Sequence, residues 1–458
     1  MIINKIRIIF FIFIISISFS QRVVGYYPQW VQGNLQPADI DYSVITHINH
    51  AFAWPDEEGN ILHYDDMISQ SITSVVHDNG AKILLSLGGW GNSWGFASSV
   101  ESEEARSIFI DNIISVCENN NYDGIDIDWE HPSGLTQKNN LSYFIAELRQ
   151  AFDDLYPEWL ITMAVPVSNW SGQHYDFNSL VQNVSYFNAM TYDFHGSWTD
   201  HAGHNSPLYP SPANDPDGAV STGFNYLSNT RGIPRSKINI GLAFYGKQYN
   251  ATNINQSYQG EVVSLLYNQY KNYFNNDWEY IWDNTAQSPY LRNSNQDQII
   301  TIEDSTSIAR KVDYVKNNQI GGLMLWALSY DIVDGKQELI NSLKTNYLSL
   351  DFKPPESYSL GLRNYPNPFN GHTNFVFQLQ HDSSVDLSIF DLKGHLIKKI
   401  INDFKQSGNH KINWNATNQY GQKISSGVYL YRLSIDGKSN TSKSVSYTHL
   451  TLPTILLV

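Results

Sequence analysis

Short apolar runs alternate with longer amphipathic stretches along most of the chain. Helix-like stretches, such as Ala105–Asn119 and Asn140–Leu155, separate several of the runs. The runs that we expect to form buried strands are Arg22–Tyr27, Thr46–Trp54, Lys82–Leu87, Gly124–Trp129, Leu160–Pro166, Val184–Tyr192, Ile238–Phe244 and Gly322–Leu328. Strands that alternate with helical crossovers assemble into a parallel sheet. The pattern therefore predicts an α/β fold with a (β/α)8 TIM barrel, and a doubly wound open sheet is the alternative with a similar alternation.

The last predicted crossover, between Phe244 and Gly322, is much longer than one helix requires. It is also rich in aromatic residues, namely Tyr267, Tyr270, Tyr273, Phe274, Trp278 and Trp282. We expect a small α+β insertion before strand eight, at about residues 246–300, beside the mouth of the barrel.

The pattern changes after Asp351–Glu356, a proline-containing segment that is typical of a linker. Apolar and polar residues alternate over 385–389, and Val428–Ile435 is another strand candidate. Alternation punctuated by turn residues predicts a small C-terminal β-sandwich. The predicted boundaries are 21–349 for the barrel, 350–358 for the linker and 359–445 for the sandwich.

The first segment has the pattern of a secretory signal peptide. Lys5 and Arg7 precede the apolar run Ile8–Ile17, and Ser18–Ser20 supplies small residues at the spacing of a cleavage site. The apolar run is too short to span a bilayer comfortably. We predict that residues 1–20 are a signal peptide cleaved near Ser20, that the protein has no stable membrane insertion, and that it is extracellular or bound to the cell surface.

The charge of the chain argues against some partners. The 458 residues carry a formal net charge of -15, whereas binding to nucleic acid or anionic membranes needs clustered Lys and Arg. Such a charge suits a neutral or weakly cationic partner, but it also simply keeps a secreted protein soluble. Cys117 is the one cysteine of the chain, so stability must come from packing rather than from an internal disulfide.

The strongest chemical signal is Asp123–Glu130, a segment in which acidic and apolar residues alternate. On a strand, Asp126, Asp128 and Glu130 share one face, and the residues between them point the other way. Three buried charged acids would repel one another strongly. A solvated edge strand or a calcium site would avoid that repulsion, although calcium loops interleave their acids with Gly and Asn on a turn.

A catalytic interpretation uses the repulsion instead. Packed acids keep a proton among themselves, which raises the pKa of at least one member, as a general acid at neutral pH requires. Active sites of such barrels lie at the carboxyl ends of the strands. Glu130 is last on the predicted strand, so we expect it to be the proton donor.

Asp123–Glu130 resembles the fourth-strand signature of glycoside hydrolase family 18, the chitinases and their relatives. Four further segments resemble the family's motifs on the third, sixth, seventh and eighth strands, in the same order, and these are Ser86–Trp90, Met190–Asp193, Gly241–Gly246 and Gly321–Trp326. The resemblance covers nearly all of residues 22–345. It implies an enzyme that hydrolyses β-1,4 linkages between N-acetylglucosamine units.

The resemblance also implies substrate-assisted catalysis with retention, in which the acetamido carbonyl of the sugar attacks its own anomeric carbon and forms an oxazolinium ion. Glu130 would protonate the leaving oxygen and then activate water. Asp128 would hold the acetamido N–H group, and Asp126 would tune Asp128 from behind. Tyr192 and Asp193 match positions that contact the acetamido group and the reacting sugar.

Aromatic side chains offer flat surfaces that stack on the C–H faces of sugar rings. Trp326 resembles the tryptophan that floors the pocket under the distorted sugar. Trp90 and Trp30 resemble residues that line sugar sites on the non-reducing side. The other residues that we expect to contact substrate are Tyr26, Phe52, Gly89, His131 and Met190.

One cluster invites a metal interpretation, since His195, Asp200, His201 and His204 lie close together in the sequence. No pair among them has the spacing of a rigid helical site, and the surrounding Gly and Ser indicate a loop. We therefore expect no metal and no other cofactor.

The C-terminal region resembles a second family. Asn364–Asn370, Leu387–Asp391 and Ser426–Tyr429 are similar to segments of the type A sorting domain of the type IX secretion system. The resemblance implies the outer-membrane secretion machinery as a partner, and a carbohydrate-binding sandwich is the alternative. Residues 446–458 depart from the sorting pattern and stay unexplained, and we hypothesise a truncated or foreign reading frame there.

Three functions fit the barrel motifs: a chitinase, a lectin that keeps the sugar groove but has lost the acid, and an enzyme of the same fold that acts on N-glycans or peptidoglycan. The presence of Glu130, Asp128, Tyr192 and Asp193 favours an enzyme over a lectin. The predicted insertion deepens the groove and favours chitin-type chains.

Overall fold

A computed structural model describes residues 22–274, 277–293, 295–347, 363–365, 369, 371–379, 382–391, 394–435 and 438–446. The predicted signal peptide, the predicted linker and the chain after Ser446 lie outside the described residues. The chain divides into two compact units, one up to Phe352 and one from Lys353 onward.

The first unit alternates strands and helices. Its strands are β1 (Arg22–Pro28), β2 (His47–Pro55), β3 (Ile61–Leu62), β4 (Lys82–Gly88), β5 (Gly124–Asp128), β6 (Leu160–Val165), β7 (Tyr186–Ala189), β8 (Ile238–Ala243), β9 (Tyr245–Asn250), β10 (Gln259–Leu266), β11 (Glu279–Asp283), β12 (Ser288–Asn293), β13 (Gln298–Thr301), β14 (Gly322–Trp326), β15 (Ile332–Val333) and β16 (Lys336–Gln337). Its helices are α1 (Gln70–Asp78), α2 (Phe96–Ser99), α3 (Glu103–Asn120), α4 (Gly134–Leu155), α5 (Asn169–Gly172), α6 (Phe177–Asn183), α7 (Val220–Asn225), α8 (Tyr267–Tyr270), α9 (Ser305–Asn317) and α10 (Glu338–Tyr347).

Eight parallel strands form a closed barrel in the order β1-β14-β8-β7-β6-β5-β4-β2. The barrel closes because β1 pairs in parallel with both β2 and β14. The predicted TIM barrel is therefore confirmed, and the open-sheet alternative is excluded. Some predicted strands were too long: Val184–Tyr192 contains only the short strand β7, and Gly124–Trp129 ends at Asp128.

Some of the helices begin where the sequence supplies a capping side chain. Ser102 accepts a hydrogen bond from the Ala105 N–H group at the start of α3, and Asp304 accepts from Thr306 and Ser307 at the start of α9. Such caps satisfy backbone donors that have no partner within the helix. The capped helix α3 is accordingly longer at each end than the predicted Ala105–Asn119.

The core of the unit lies between the barrel wall and the helices. Ile125, Ile127 and Trp129 point outward into this layer, where Trp129 stacks on Phe96 with ring centroids 5.2 Å apart. The alternation of β5 therefore sends its apolar residues to the helices and its acidic residues into the barrel.

The predicted α+β insertion forms an antiparallel sheet of five strands in the order β10-β9-β13-β12-β11. It follows the seventh barrel strand, β8, at once, because Phe244 alone separates β8 from β9. The helix α8 and a short 3-10 helix at Lys271–Tyr273 lie between β10 and β11.

A buried ion pair anchors α9 to the barrel. The ammonium group of Lys311 contacts the carboxylate of Glu303, and both side chains are almost wholly buried. The same ammonium donates to the Ser206 hydroxyl at 2.9 Å, and that hydroxyl donates to the Thr191 carbonyl oxygen at 2.7 Å. This chain of polar contacts reaches the loop that follows strand β7.

The second unit contains two antiparallel sheets, β17-β18-β21 and β20-β19-β22-β23. These strands are β17 (Arg363–Tyr365), β18 (Thr373–Leu379), β19 (Ser383–Phe390), β20 (Leu396–Lys405), β21 (Gly408–Trp414), β22 (Gly427–Ile435) and β23 (Lys438–Ser446). Phe375 from one sheet and Tyr431 from the other pack in a shared core, with ring centroids 4.9 Å apart. The predicted β-sandwich is confirmed.

Among the helices of the described residues, none is both long enough and apolar enough to cross a membrane.

The Lys311–Glu303 pair generates a prediction about stability. Lys311→Met should lower the free energy of unfolding by about 3–5 kcal/mol, because it leaves the Glu303 carboxylate buried without its cation. The measurement is urea denaturation followed by tryptophan fluorescence. The control is the double variant Lys311→Met/Glu303→Gln, which should recover much of the loss because no lone charge remains buried. A single variant as stable as the wild type would contradict the assigned role of the pair.

Candidate active site

The acidic face of β5 points into the barrel. Asp126 is the most deeply buried acid on this face, and its carboxylate has a full set of hydrogen-bond donors. Asp126 is 0% exposed and accepts four hydrogen bonds from side chains on four different strands. The donors are Tyr26 at 2.8 Å, Ser86 at 2.8 Å, Thr162 at 2.5 Å and Asn188 at 3.3 Å. Burial raises the pKa of Asp126, whereas these hydrogen bonds lower it.

The next acid along the strand, Asp128, is only 5% exposed. The structure gives its Oδ1 atom no hydrogen-bond partner among the described residues, although that atom is buried. Burial raises the pKa of Asp128 well above its ordinary value, and the charges of Glu130 and Asp126 raise it further. A buried acceptor without a donor is costly in a folded protein and points to a group supplied from outside.

Glu130 lies two residues beyond the end of β5, so the expectation that it is the last residue of the strand was wrong. Its backbone N–H group donates to the Ser93 hydroxyl at 3.0 Å instead of continuing the ladder. The side chain is 16% exposed, at the mouth of the barrel. Burial raises its pKa to about 7, and the nearby charge of Asp193 contributes to the increase.

Tyr192 and Asp193 follow strand β7 at the same mouth. Burial raises the pKa of the Tyr192 hydroxyl well above its ordinary value, so this group stays a hydrogen-bond donor. Asp193 forms an ion pair with Lys247, at 2.8 Å from its Oδ1 atom. Sequence reasoning missed Lys247, which lies on the first strand of the insertion, because nothing in the local pattern predicted that this strand places a cation beside Asp193.

An aromatic wall, composed of Tyr26, Trp30, Phe52 and Trp326, stands beside the acids. The Trp326 ring stacks on Phe52 with centroids 5.7 Å apart, and it meets the edge of Tyr26 at 5.5 Å and of Trp30 at 6.3 Å. Trp30 is 50% exposed, whereas Tyr26 and Phe52 are buried. The wall therefore presents the apolar rings of Trp326 and Trp30, with Tyr26 and Phe52 buried against them.

Gly89 is required by close packing at this wall. Its φ is +82°, and a Cβ atom added there would lie 2.6 Å from the Phe52 ring. Its N–H group donates to the Asp128 carbonyl oxygen at 2.8 Å, which fixes the turn after β4 against the end of β5. Trp90 follows with 79% exposure. A larger residue at position 89 would displace Phe52 and with it the wall.

His131 and Met190 are two further residues that we predicted to contact the substrate. The His131 Nε2 atom lies 3.7 Å from Glu130 Oε2, and burial lowers the pKa of His131 to about 4. Met190 is half-buried, and its N–H group donates to the Val165 carbonyl oxygen at 3.0 Å. Sequence reasoning also missed Trp94, which lines a cavity together with Glu130 and His131, and Trp170, whose ring meets that of His131 edge-on with centroids 5.9 Å apart. No motif distinguished them from ordinary surface aromatic residues.

The histidine-rich loop after β7 divides into two groups. His195 and His201 converge with Asp215 and Asp217. His204 instead pairs with a carboxylate of the insertion, at 3.2 Å from Asp283 Oδ2. The sequence-based metal hypothesis considered only the nearby residues and missed the two aspartates, because a long loop brings them back.

The arrangement combines three chemical functions. Glu130 can hold a proton near neutral pH, Asp128 offers a buried acceptor oxygen, and Tyr192 supplies a hydroxyl donor. Beside them lies an apolar aromatic surface. Such a site can protonate a bound molecule that has a flat apolar face and an N–H group near the reacting centre.

Two families match the chain. Residues 22–331 match the model of glycosyl hydrolases family 18, and residues 363–446 match that of the secretion system C-terminal sorting domain.

Several known proteins are similar to the chain. "Chitinase A1" of Niallia circulans is 28% identical over 420 residues, which cover 73% of this chain and 60% of the relative. "Probable endochitinase" of Caenorhabditis elegans is 31% identical over 349 residues, which cover 67% of this chain and 55% of the relative. The chain thus spans little more than half the length of these two relatives.

Solved structures give the same picture. A chitinase of Trichuris suis has a TM-score of 0.66 at 25% identity, covering 72% of this chain and 100% of that one. The Group IV chitinase of Ostrinia furnacalis, solved in complex with allosamidin, has a TM-score of 0.66 at 26% identity, covering 72% and 99%.

The raised pKa of Glu130 predicts a pH-dependent effect on stability. Between its ordinary value of 4.5 and about 7, the unfolded chain releases the proton that the folded chain keeps. Stability therefore falls as pH rises through this window, and Glu130→Gln should remove that loss. We expect the variant to be more stable by up to about 3 kcal/mol above pH 7 and equal to the wild type near pH 4. Urea denaturation from pH 4 to 8 measures the difference, and a gap that does not change with pH would contradict the raised pKa.

Proposed function

The chain belongs to glycosyl hydrolases family 18, and from this premise we propose that it is a secreted chitinase, which cleaves β-1,4 linkages between N-acetylglucosamine units with retention. The observation that carries the proposal is the buried Oδ1 atom of Asp128, which has no partner among the described residues and lies next to an acid whose pKa is about 7. An acetamido N–H group is the donor that would satisfy it.

Glu130 is the proton donor in this proposal. Its carboxyl group keeps a proton at neutral pH because burial and the charge of Asp193 disfavour ionisation. It protonates the glycosidic oxygen as the bond to the anomeric carbon breaks. The resulting carboxylate then removes a proton from water, which restores the acid. The water oxygen attacks the same carbon as the bond from that carbon to the acetamido oxygen breaks.

The nucleophile belongs to the substrate. Asp128 accepts the acetamido N–H group through its Oδ1 atom, and the Tyr192 hydroxyl donates to the acetamido carbonyl oxygen. These contacts orient that oxygen toward the anomeric carbon, where it displaces the leaving group and forms an oxazolinium ion. The negative charge that Asp126 and Asp128 carry between them offsets the positive charge of the ring.

Asp126 acts through Asp128 and does not touch the sugar. Its four hydrogen bonds hold it as a buried anion behind Asp128, so its charge favours a proton on the neighbouring carboxyl group. Asp193, held by Lys247, completes the polar side of the reacting sugar's site and keeps the pKa of Glu130 raised.

The aromatic wall binds the sugar rings. Trp326 floors the site of the reacting sugar, with Tyr26 and Phe52 packed behind it. Trp30 and Trp90 are well exposed and offer stacking surfaces for further sugars. The remaining proposed contacts of the substrate site are Gly89, His131 and Met190.

The sorting domain in the second unit indicates that the protein is secreted or displayed at the cell surface. We further propose that residues 1–20 direct export and are cleaved near Ser20, and that the second unit engages the outer-membrane secretion machinery. An extracellular location suits an enzyme whose substrate is an insoluble polymer.

The first test removes the acid. Glu130→Gln should lower kcat on chitin hexamers at least about 1000-fold, since general acid catalysis typically contributes between 100-fold and 10000-fold and this residue acts in both steps. The control is Glu101→Gln, an exposed acid of the same unit, which should retain full activity. A Glu130→Gln enzyme with more than a few per cent of wild-type activity would exclude Glu130 as the donor.

A second test addresses the nucleophile. The first product seen by proton NMR should be the β-anomer, and a substrate with a free amine in place of the acetamide at the cleaved sugar should resist hydrolysis by at least about 100-fold. Release of the α-anomer would exclude retention. Equal rates on both substrates would mean that a group of the enzyme attacks. Hydrolysis of peptidoglycan in preference to chitin hexamers would favour the other enzyme of this fold.

A further inference from the structure

The loop between β7 and α7 contains a compact cluster of four side chains, His195, His201, Asp215 and Asp217, which we call the loop cluster. One nitrogen or oxygen from each lies within 4.8 Å of the other three. His195 and Asp215 are each 1% exposed, whereas His201 is 19% and Asp217 is 31% exposed. The cluster is thus buried on one side and accessible on the other.

The hydrogen bonds of the two histidines fix which nitrogen carries a proton. His195 Nδ1 lies 2.9 Å from the His204 carbonyl oxygen, which can only accept, so this nitrogen must be the donor. His201 Nδ1 lies 2.8 Å from an oxygen of Asp200 and donates in the same way. In the neutral rings, both Nε2 atoms therefore present lone pairs.

Those lone pairs face carboxylate oxygens instead of donors. His195 Nε2 lies 3.1 Å from Asp215 Oδ2 and 3.6 Å from Asp217 Oδ2. His201 Nε2 lies 3.8 Å and 3.9 Å from the same two oxygens. The His201 Nε2 atom is buried and has no hydrogen-bond partner among the described residues. Four electron-pair donors thus converge on one point, an arrangement that a cation stabilises.

The surroundings hold the donors in this orientation. Asp217 donates its N–H group to Asp215 Oδ1 at 3.0 Å, which leaves Asp215 Oδ2 directed at the histidines. Gly203 makes room for the His195 ring, since a Cβ atom at that position would lie 2.0 Å from it. A metal-bound histidine typically donates its other nitrogen to a carbonyl or carboxylate oxygen, as both histidines do here.

We propose that the loop cluster binds one divalent transition-metal ion, with Zn²⁺ as the best fit. Two imidazole nitrogens and two carboxylate oxygens are ligands that Zn²⁺ accepts in tetrahedral sites. Tetrahedral bonds of about 2.0–2.1 Å place ligand atoms roughly 3.4 Å apart, so small side-chain movements complete the site. The ion ties residues 195–201 to residues 215–217, within the loop that begins next to Asp193.

The experiment uses the full chain, stripped with a chelator and titrated with Zn²⁺ in a calorimeter. We expect one ion per chain, a rise of at least about 3 °C in the midpoint of thermal unfolding at saturation, and visible absorption bands of a tetrahedral ion when Co²⁺ replaces Zn²⁺. His201→Ala and Asp217→Asn, two substitutions at the more exposed side, should each weaken binding at least about 100-fold.

Two further variants separate a metal site from a network of hydrogen bonds. Asp200→Asn should weaken Zn²⁺ binding by about 10-fold to 100-fold, because Asp200 orients His201 without binding the ion. The matched control is His77→Ala, which breaks a single His–Asp pair of 2.8 Å elsewhere in the unit and should leave Zn²⁺ binding unchanged.

The outcome is independent of the proposed hydrolysis, since Glu130→Gln should bind Zn²⁺ like the wild type. The proposal is overturned if the stripped protein binds no stoichiometric Zn²⁺. It is equally overturned if His201→Ala and Asp217→Asn bind Zn²⁺ as tightly as His77→Ala does.

Discussion

The burial of three acids on and just after one strand is the constraint on which the structure depends. A carboxylate moved from water into a protein interior loses solvation that only hydrogen bonds or opposite charge can replace. Alternation on β5 sends Asp126 and Asp128 toward the same space inside the barrel, and Glu130 follows two residues after the strand ends. The rest of the barrel interior supplies hydrogen-bond donors to these acids unequally. Each acid therefore has a different chemistry.

The deepest acid needs the closed barrel. Asp126 takes donors from β1, β4, β6 and β7, strands that only closure brings around one point. Toward the mouth fewer hydrogen bonds support the acids: within the described part of the chain Asp128 Oδ1 has no donor, and Glu130 accepts from the Trp90 N–H group. Three acids with different chemical properties thus follow one another along β5 and the two residues after it. In the proposed catalysis Asp126 is a positioning residue, Asp128 accepts the acetamido N–H group and Glu130 donates the proton.

The local pattern of the sequence determines how much of the fold and of the candidate site could be predicted. Period-two alternation and its interruptions by helices are properties of the sequence itself, so the barrel, the insertion, the sandwich and the acidic face could all be read from it. The hydrogen-bond partners of the acids could not be predicted from the sequence. Thr162, Asn188 and Ser93 are ordinary polar residues whose importance comes from neighbours far away in the chain. The roles proposed for Glu130 and Asp128 stay predictions; Asp128 ends strand β5, whereas Glu130 lies two residues beyond it.

The contacts of the loop after β7 also join residues that are distant in the sequence, so the local pattern could not predict them. Most of these contacts are polar, and there is a physical reason for that. It begins with Tyr192 and Asp193, whose positions must be accurate to a fraction of an ångström if they are to contact a reacting sugar. Apolar packing is weakly directional, whereas hydrogen bonds and ion pairs fix distance and angle. Thr191 is held through Ser206 and Lys311, Asp193 is held by Lys247, and the loop cluster closes the remainder of the loop. Precision at the mouth of the barrel is thus achieved by buried polar groups, whose partners are distant in sequence and visible only in the folded chain.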